Sequence, residues 1–267
     1  MSKTARKLLS QNFLWNRELV KKLIRNSSIA SGDSVLDIGA GSGVITDQIM
    51  PYCGSVVAFE ADPRLYQLLK QKYRSNDQIS VQFGDIRLFP LPANPYKVFS
   101  NIPFSITGEV VKKLFLSPNP PLESYIVMQR EAAQKFIVFG RQNSMMSILL
   151  YPWFELEIIH QFNRNDFKPK PNVDSVLVKI TRRHDPFVKM ANQEIYRDFV
   201  TYYFTRDKRA KYYPPREWLM RLNNFLTSGN MMTKNMIEGS FRKWQDEERQ
   251  LAKIHRTRLD KRWMKYK

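Results

Sequence analysis

The 267-residue sequence has one cysteine, Cys53, so no intrachain disulfide can form and the chain reads as the product of a reducing, cytoplasmic compartment. Histidine is nearly as scarce. His160, His184 and His255 lie far apart without ligand-spaced neighbours, which argues against a zinc or iron centre, and no metal is expected. No apolar run approaches the roughly 20 residues that a membrane-spanning helix needs. Negative charge is also short: 25 Asp and Glu face 43 Lys and Arg, for a formal net charge of +18. Such a field attracts polyanions before any specific contact forms. The basic segments carry interspersed aromatics rather than the clean stripe of a surface-lying helix, so nucleic acid is preferred to an anionic membrane.

What is present is the composition of a globular protein, with 43% hydrophobic and 13% aromatic residues. From Val35 to Ile180 short β-branched or aromatic runs alternate with longer amphipathic stretches, the pattern of a parallel α/β sheet. The strands read as Ser34–Ile38, Ser55–Glu60, Ile79–Phe83, Tyr96–Asn101, Tyr125–Gln129, Glu155–Phe162 and Ser175–Ile180. The last two are predicted to pair as an antiparallel hairpin across the Lys- and Pro-rich stretch Asn163–Asp174. After Arg182-Arg183-His184-Asp185-Pro186 the strand runs stop and charged helical stretches with Trp218, Trp244 and Trp263 take over. The expected division is therefore residues 1–184, an α/β domain, and residues 185–267, a smaller basic all-helical domain. The second part holds 19 Lys and Arg against 10 Asp and Glu, and the first 30 residues hold seven basic side chains against Glu18 alone. The tail Lys253–Lys267 interleaves seven basic residues with Trp263 and Tyr266. It reads equally as phosphate binding with base stacking or as a solvated helix with one packed face. The Met145-Met146 pair reads as core.

Four motifs sit at predicted strand ends. Asp37-Ile38-Gly39-Ala40-Gly41-Ser42-Gly43 joins a strand to a helix, and its glycines let backbone pass close to a bound nucleoside. Val44 stands where a dinucleotide fingerprint would carry glycine, and a plain tight turn is the other reading. Glu60 ends the next strand, where a carboxylate can accept from both hydroxyls of a ribose. Asp85 ends the third, placed either to accept from a base amino group or to cap a turn. Asn101-Ile102-Pro103-Phe104 closes the fourth. An exocyclic amine of adenine is a poor nucleophile because its lone pair is delocalised into the ring. An Asn oxygen with a nearby carbonyl can accept its two hydrogens and aim the lone pair at an electrophilic methyl. Pro103 stiffens that loop and Phe104 offers a face for an extruded base; the alternative is an ordinary turn with a core aromatic.

Taken with Ser10-Gln11-Asn12-Phe13 near the start and Phe167-Lys168-Pro169-Lys170-Pro171-Asn172-Val173-Asp174-Ser175 further on, these motifs resemble the ribosomal RNA adenine N6-methyltransferase superfamily, in order, from about residue 8 to 182. Ser-Gln-Asn-Phe and Asn-Ile-Pro-Phe are similar to the Erm-type enzymes, which methylate large-subunit rRNA and confer macrolide, lincosamide and streptogramin B resistance. Small-subunit dimethyltransferases usually show Asn-Leu-Pro-Tyr, and an Arg-Arg-Lys-Thr stretch where this chain has Thr205-Arg206-Asp207-Lys208-Arg209-Ala210.

The resemblance implies a Rossmann-like class I S-adenosylmethionine-dependent methyltransferase domain followed by a small helical RNA-binding domain. It implies that Gln11, Asn12, Gly39, Ala40, Gly41, Gly43, Glu60, Asp85 and Asn101 contact S-adenosylmethionine, with Glu60 on its ribose and Asp85 on its adenine. Asn101, Ile102, Pro103 and Phe104 become the candidate catalytic set. The implied partner is 23S rRNA before full ribosome assembly, met by a monomer. Lys168–Ser175 is either a stiff hairpin connection or a direct RNA contact, and from about Pro214 no family motif is recognisable. Two rival readings remain: a small-subunit rRNA adenine dimethyltransferase, and a nucleic-acid-binding protein that keeps the fold without catalysis. Against the second stand the intact catalytic positions and the closeness of Gln11 to Met1, which leaves no room for a transit peptide.

Overall fold

A computed structural model describes residues 12–138, 142–228 and 231–250. It divides into two compact units, Met1–Phe187 and Val188–Lys267.

The first unit is built on a seven-stranded sheet. In chain order its strands are β2 (Ser34–Ile38), β3 (Ser55–Glu60), β4 (Ile79–Phe83), β5 (Lys97–Asn101), β6 (Glu123–Gln129), β7 (Phe154–Gln161) and β9 (Ser175–Arg182). Their spatial order is β4-β3-β2-β5-β6-β9-β7. All pairings from β4 to β6 are parallel, as the alternating pattern predicts, while β9 runs antiparallel to both β6 and β7. Central strands carry unbroken apolar runs because both faces are covered: Val35, Leu36, Ile38, Val98, Phe99, Ile126 and Val127 are all buried. β7 lies at the edge, and its exposed Glu155, Glu157 and Ile159 alternate with better-covered neighbours.

Helices fill the crossovers. The first, α1 (Arg17–Arg25), buries Val20, Leu23 and Ile24 and is capped by Asn16, whose side chain accepts from the Leu19 amide. α2 (Val44–Ile49) is short because Pro51 follows and the chain tightens into a 3-10 turn at Met50–Tyr52. α3 (Pro63–Lys72) has proline at its first position and Asp62 as cap, accepting from the Arg64 and Leu65 amides. α4 (Thr107–Phe115) lays Val110, Val111, Leu114 and Phe115 against the core. Two short helices follow, α5 (Arg130–Ala133) and α6 (Met145–Leu150). In α6 Met146 is buried and Met145 is half-buried.

Two features depart from the sequence reading. The connection 163–174 is more than a hairpin loop: it contains a 3-10 turn, Arg164–Asp166, and a two-residue strand, β8 (Phe167–Lys168). That strand leaves the main sheet and pairs antiparallel with β1 (Phe13–Leu14), Phe13 opposite Lys168 and Leu14 opposite Phe167. Asn16 Nδ2 donates to Asp166 Oδ1 (2.9 Å) and Trp15 Nε1 to the Asn165 carbonyl (2.8 Å), so the start of the chain is bound to a segment 150 residues away. The second departure follows from the first. Phe167 is fully buried and Lys168 Nζ lies 3.9 Å from the centroid of the Trp15 ring, which gives these two motif residues structural partners.

The second unit is helical in its described residues: α7 (Gln193–Arg206), α8 (Pro215–Ser228), α9 (Met231–Ile237) and α10 (Ser240–Gln250). Tyr196, Phe199, Val200, Trp218, Leu222 and Phe225 form its core. Asp198 on α7 accepts from the Gly239 and Phe241 amides and so fixes the entry to α10. The basic tail Lys253–Lys267 and Gln11 lie outside the described residues.

Candidate active site

Strand order reverses between β2, which continues outward through β3, and β5, which continues through β6. The carboxyl ends of these strands therefore open a crevice at the point where crossovers diverge to opposite sides. Gly39–Gly43 follow β2, Glu60 ends β3, Asp85 follows β4 and Asn101–Phe104 close β5, so these candidate residues share the carboxyl edge of the parallel strands.

The loop after β2 has three glycines with positive φ: Gly39 (76°), Gly41 (60°) and Gly43 (82°). All three are also closely overlain, Gly43 by the Tyr73 hydroxyl. A Cβ on Gly39 would lie 3.1 Å from Pro103 Cδ, and one on Gly41 would lie 3.0 Å from the Phe13 ring. The amides of Gly39 and Ala40 both donate to the Phe59 carbonyl (2.8 and 3.0 Å), which pins the loop to the end of β3.

Glu60 completes that attachment. It is 1% exposed, and its two oxygens accept from the Gly41 amide (2.8 Å) and the Asp62 amide (2.9 Å). A carboxylate carries about four acceptor positions, so capacity for further donors remains. Asp37, the first residue of the glycine motif, lies on β2 with no role assigned to it by spacing. It is fully buried, with Oδ2 accepting from Thr46 Oγ1 (2.7 Å) and Oδ1 left without a partner. Burial pushes its pKa up to about 7; the Thr46 hydrogen bond opposes the rise and the charge of Glu60 adds to it.

Asp85 takes a different position from a plain acceptor. It caps the 3-10 turn Ile86–Leu88, accepting from the Arg87 amide (2.9 Å), and both its oxygens receive Arg87 Nε. Arg87 also reaches Glu109 on α4 at 2.6 Å. The hydrogen bond from Arg87 holds the Asp85 carboxyl below its ordinary range. An arginine two residues after an acid gives no sequence signal that distinguishes this bridge from a solvated cation.

At the end of β5, Asn101 Nδ2 donates to the Asn12 carbonyl at 2.8 Å, and nothing among the described residues donates to its Oδ1. Ile102 is fully buried beneath the loop. The Pro103 carbonyl accepts from the Ile106 amide (3.0 Å) and Thr107 Oγ1 (3.3 Å), which starts α4. Asn12, Phe13, Gly39, Asn101, Ile102, Pro103 and Phe104 line one small cavity, with Phe104 half-buried at its wall. The residues that sequence order separates by almost 90 positions thus share a site.

These features fit a nucleoside sulfonium ligand: a glycine turn into which side chains cannot intrude, a buried carboxylate at the neighbouring strand end, and an orphaned carboxylate oxygen on Asp37 beneath them. Among the described residues no three His, Cys, Asp or Glu side chains cluster as metal ligands, and no helix is long and apolar enough to cross a membrane.

A family model described as ribosomal RNA adenine dimethylase matches residues 2–211. A Streptomyces fradiae protein named rRNA adenine N-6-methyltransferase is 32% identical over 189 residues, covering 70% of this chain. The match spans 59% of that relative's length. A Streptococcus mutans protein named ribosomal RNA small subunit methyltransferase A is 31% identical over 204 residues, covering 72% of this chain and 70% of its own. Among solved structures, the 23S rRNA methyltransferase ErmE superposes with a TM-score of 0.69 at 26% identity, over 79% of this chain and all of that one.

Proposed function

Because the chain belongs to the ribosomal RNA adenine dimethylase family, we propose that it transfers methyl groups from S-adenosylmethionine to N6 of a specific adenine in 23S rRNA and thereby confers macrolide, lincosamide and streptogramin B resistance. The observation that carries the reading is Asn101, whose amide nitrogen is committed to the Asn12 carbonyl and whose Oδ1 is left to accept. S-adenosylmethionine, when bound, supplies an electrophilic methyl group on a sulfonium centre. Glu60 would hold its ribose hydroxyls, Asp85 its adenine amino group, and Gln11, Asn12, Gly39, Ala40, Gly41 and Gly43 would surround the rest. For Asp85 this means giving up part of its pairing with Arg87, which Glu109 retains.

On the RNA side, Asn101 Oδ1 and a nearby carbonyl would accept the two amino hydrogens, so that the lone pair at N6 points at the methyl group. These hydrogen bonds strengthen as positive charge builds on nitrogen, which is transition-state stabilisation without a strong base. Pro103, clamped over Gly39, and buried Ile102 keep Asn101 in place, and Phe104 provides the stacking face for a base turned out of its helix. The second unit is proposed as the basic RNA-holding domain of a cytoplasmic monomer.

The large-subunit assignment rests on the Asn-Ile-Pro-Phe tetrad, and the similarity to ErmE supports it. The small-subunit alternative draws on the comparable identity to the Streptococcus mutans relative. Incubation with each rRNA and labelled methyl donor, followed by mapping of the modified base, separates them. Methylated 23S adenine is expected, with turnover about 100- to 1,000-fold lower for Asn101→Ala and cofactor affinity moving far less than turnover, by analogy with loss of one oxyanion-hole donor. Modification of small-subunit RNA would move the assignment, and RNA binding without methylation would favour the non-catalytic reading.

A further inference from the structure

Glu60 and Asp85 are the two carboxylates proposed to hold the cofactor, and they differ in how much of each is left to accept from it. Among the described residues Glu60 takes two hydrogen bonds, one on each oxygen. A carboxylate has about four acceptor positions, so half of that capacity is open. Asp85 takes four, all from Arg87. Its Oδ1 accepts from the Arg87 amide and from Arg87 Nε, each at 2.9 Å, and its Oδ2 accepts from the same Nε at 2.9 Å and from Arg87 Nη2. A guanidinium laid side-on to a carboxylate occupies the positions that an exocyclic amine would need.

Arg87 also has a second anchor. Its remaining nitrogen, Nη1, donates to Glu109 Oε2 on α4 at 2.6 Å, and one turn further along that helix Lys113 Nζ donates to the Arg87 carbonyl at 3.1 Å. Two acids therefore share one cation. The side chains of Arg87, Asp85 and Glu109 are 33, 26 and 30% exposed, so the bridge is open to solvent and its rearrangement costs little. We propose that Arg87 competes with the adenine amino group of the cofactor for Asp85, and that Glu109 sets the outcome by drawing the guanidinium away. When the guanidinium turns to Glu109, three of the four contacts on Asp85 are released. The fourth, from the Arg87 amide, belongs to the turn at Ile86–Leu88 and keeps the carboxylate in place. Arg87 is then a positioning residue whose partition between two acids tunes cofactor affinity. The inference rests on the reading of Asp85 as the adenine acceptor.

The test is calorimetry on the full chain with two ligands: S-adenosylhomocysteine, which keeps the adenosine and lacks the transferable methyl group, and the same molecule with hydrogen in place of the adenine amine. Arg87→Met should bind S-adenosylhomocysteine about 3-fold more tightly than wild type, the scale of one part-exposed ion pair. Glu109→Gln should bind it about 3-fold more weakly, because Arg87 then rests wholly on Asp85. Neither variant should change affinity for the amine-free ligand, which has no hydrogen to offer Asp85. A bridge that only supported the fold would move both variants downward and both ligands alike. Arg87→Met binding no more tightly than wild type, Glu109→Gln binding no more weakly, or equal shifts with the two ligands would overturn the competition. Asp85→Ala separates that failure from failure of the underlying reading. If it binds S-adenosylhomocysteine as wild type does, Asp85 leaves the adenine site and the competition goes with it; if it binds poorly while Arg87→Met is unmoved, the competition alone is lost.

Discussion

The pH response of the protein begins at Asp37. Its folded pKa of about 7 lies above the ordinary value of 3.8, because the carboxyl is sealed from water with one oxygen unpaired and Glu60 close by. Between those two values the folded state binds a proton that the unfolded chain releases. The stabilisation from this group is therefore complete below about pH 4 and is lost as pH rises through 7. Asp37→Asn keeps an acceptor for Thr46 and removes the titration, so it is expected to be more stable than wild type at pH 8, by about 1 to 3 kcal/mol, and to lose most of that advantage at pH 5. Urea melts at the two pH values check this, and an advantage independent of pH would sink it. The same residues show what a sequence conveys at this scale. Gly39, Gly41, Glu60, Asp85 and Asn101 could be named because strand-end placement identifies them. The Arg87 bridge over Asp85 and the orphaned oxygen of Asp37 depend on rotamers and burial, which no spacing encodes.

At the level of elements, the long strands were legible because each is a run of apolar residues closed by a turn signal, and three of them have the bounds read from the sequence. The pairing of β1 with β8 was not, since two residues cannot display a period of two and their partners are about 150 positions apart. Asn16 joins the two segments: it caps α1 through Oδ1 and binds Asp166 through Nδ2. Asn16→Ala should therefore cost about 1 to 3 kcal/mol, a cap together with one further hydrogen bond. It should also speed amide exchange at Phe13 and Leu14 more than in the central sheet. A melt within 0.5 kcal/mol of wild type would contradict the linking role.

For the whole molecule the governing quantity is its charge of +18, concentrated in the first 30 residues and beyond residue 185. If 6 to 10 phosphates are neutralised on binding, affinity for RNA should fall steeply with salt, by about 10³- to 10⁵-fold from 50 to 200 mM on the scale set by duplex nucleic acid. A titration series in potassium chloride gives the slope directly, and an affinity indifferent to salt would show that the charge serves something else. The β1–β8 pairing has a consequence of another kind, in time. Asn12 and Phe13 leave the ribosome more than 150 residues ahead of Phe167 and Lys168, an interval of roughly 8 to 30 s at ordinary synthesis rates. Until then the strand that carries the Asn12 carbonyl has no partner, and Asn101 no fixed anchor. A nascent or truncated chain that ends before Phe167 would carry the glycine loop and the whole tetrad yet be unable to close the proposed base-holding site, so the proposed activity would switch on only with near-completion of the domain.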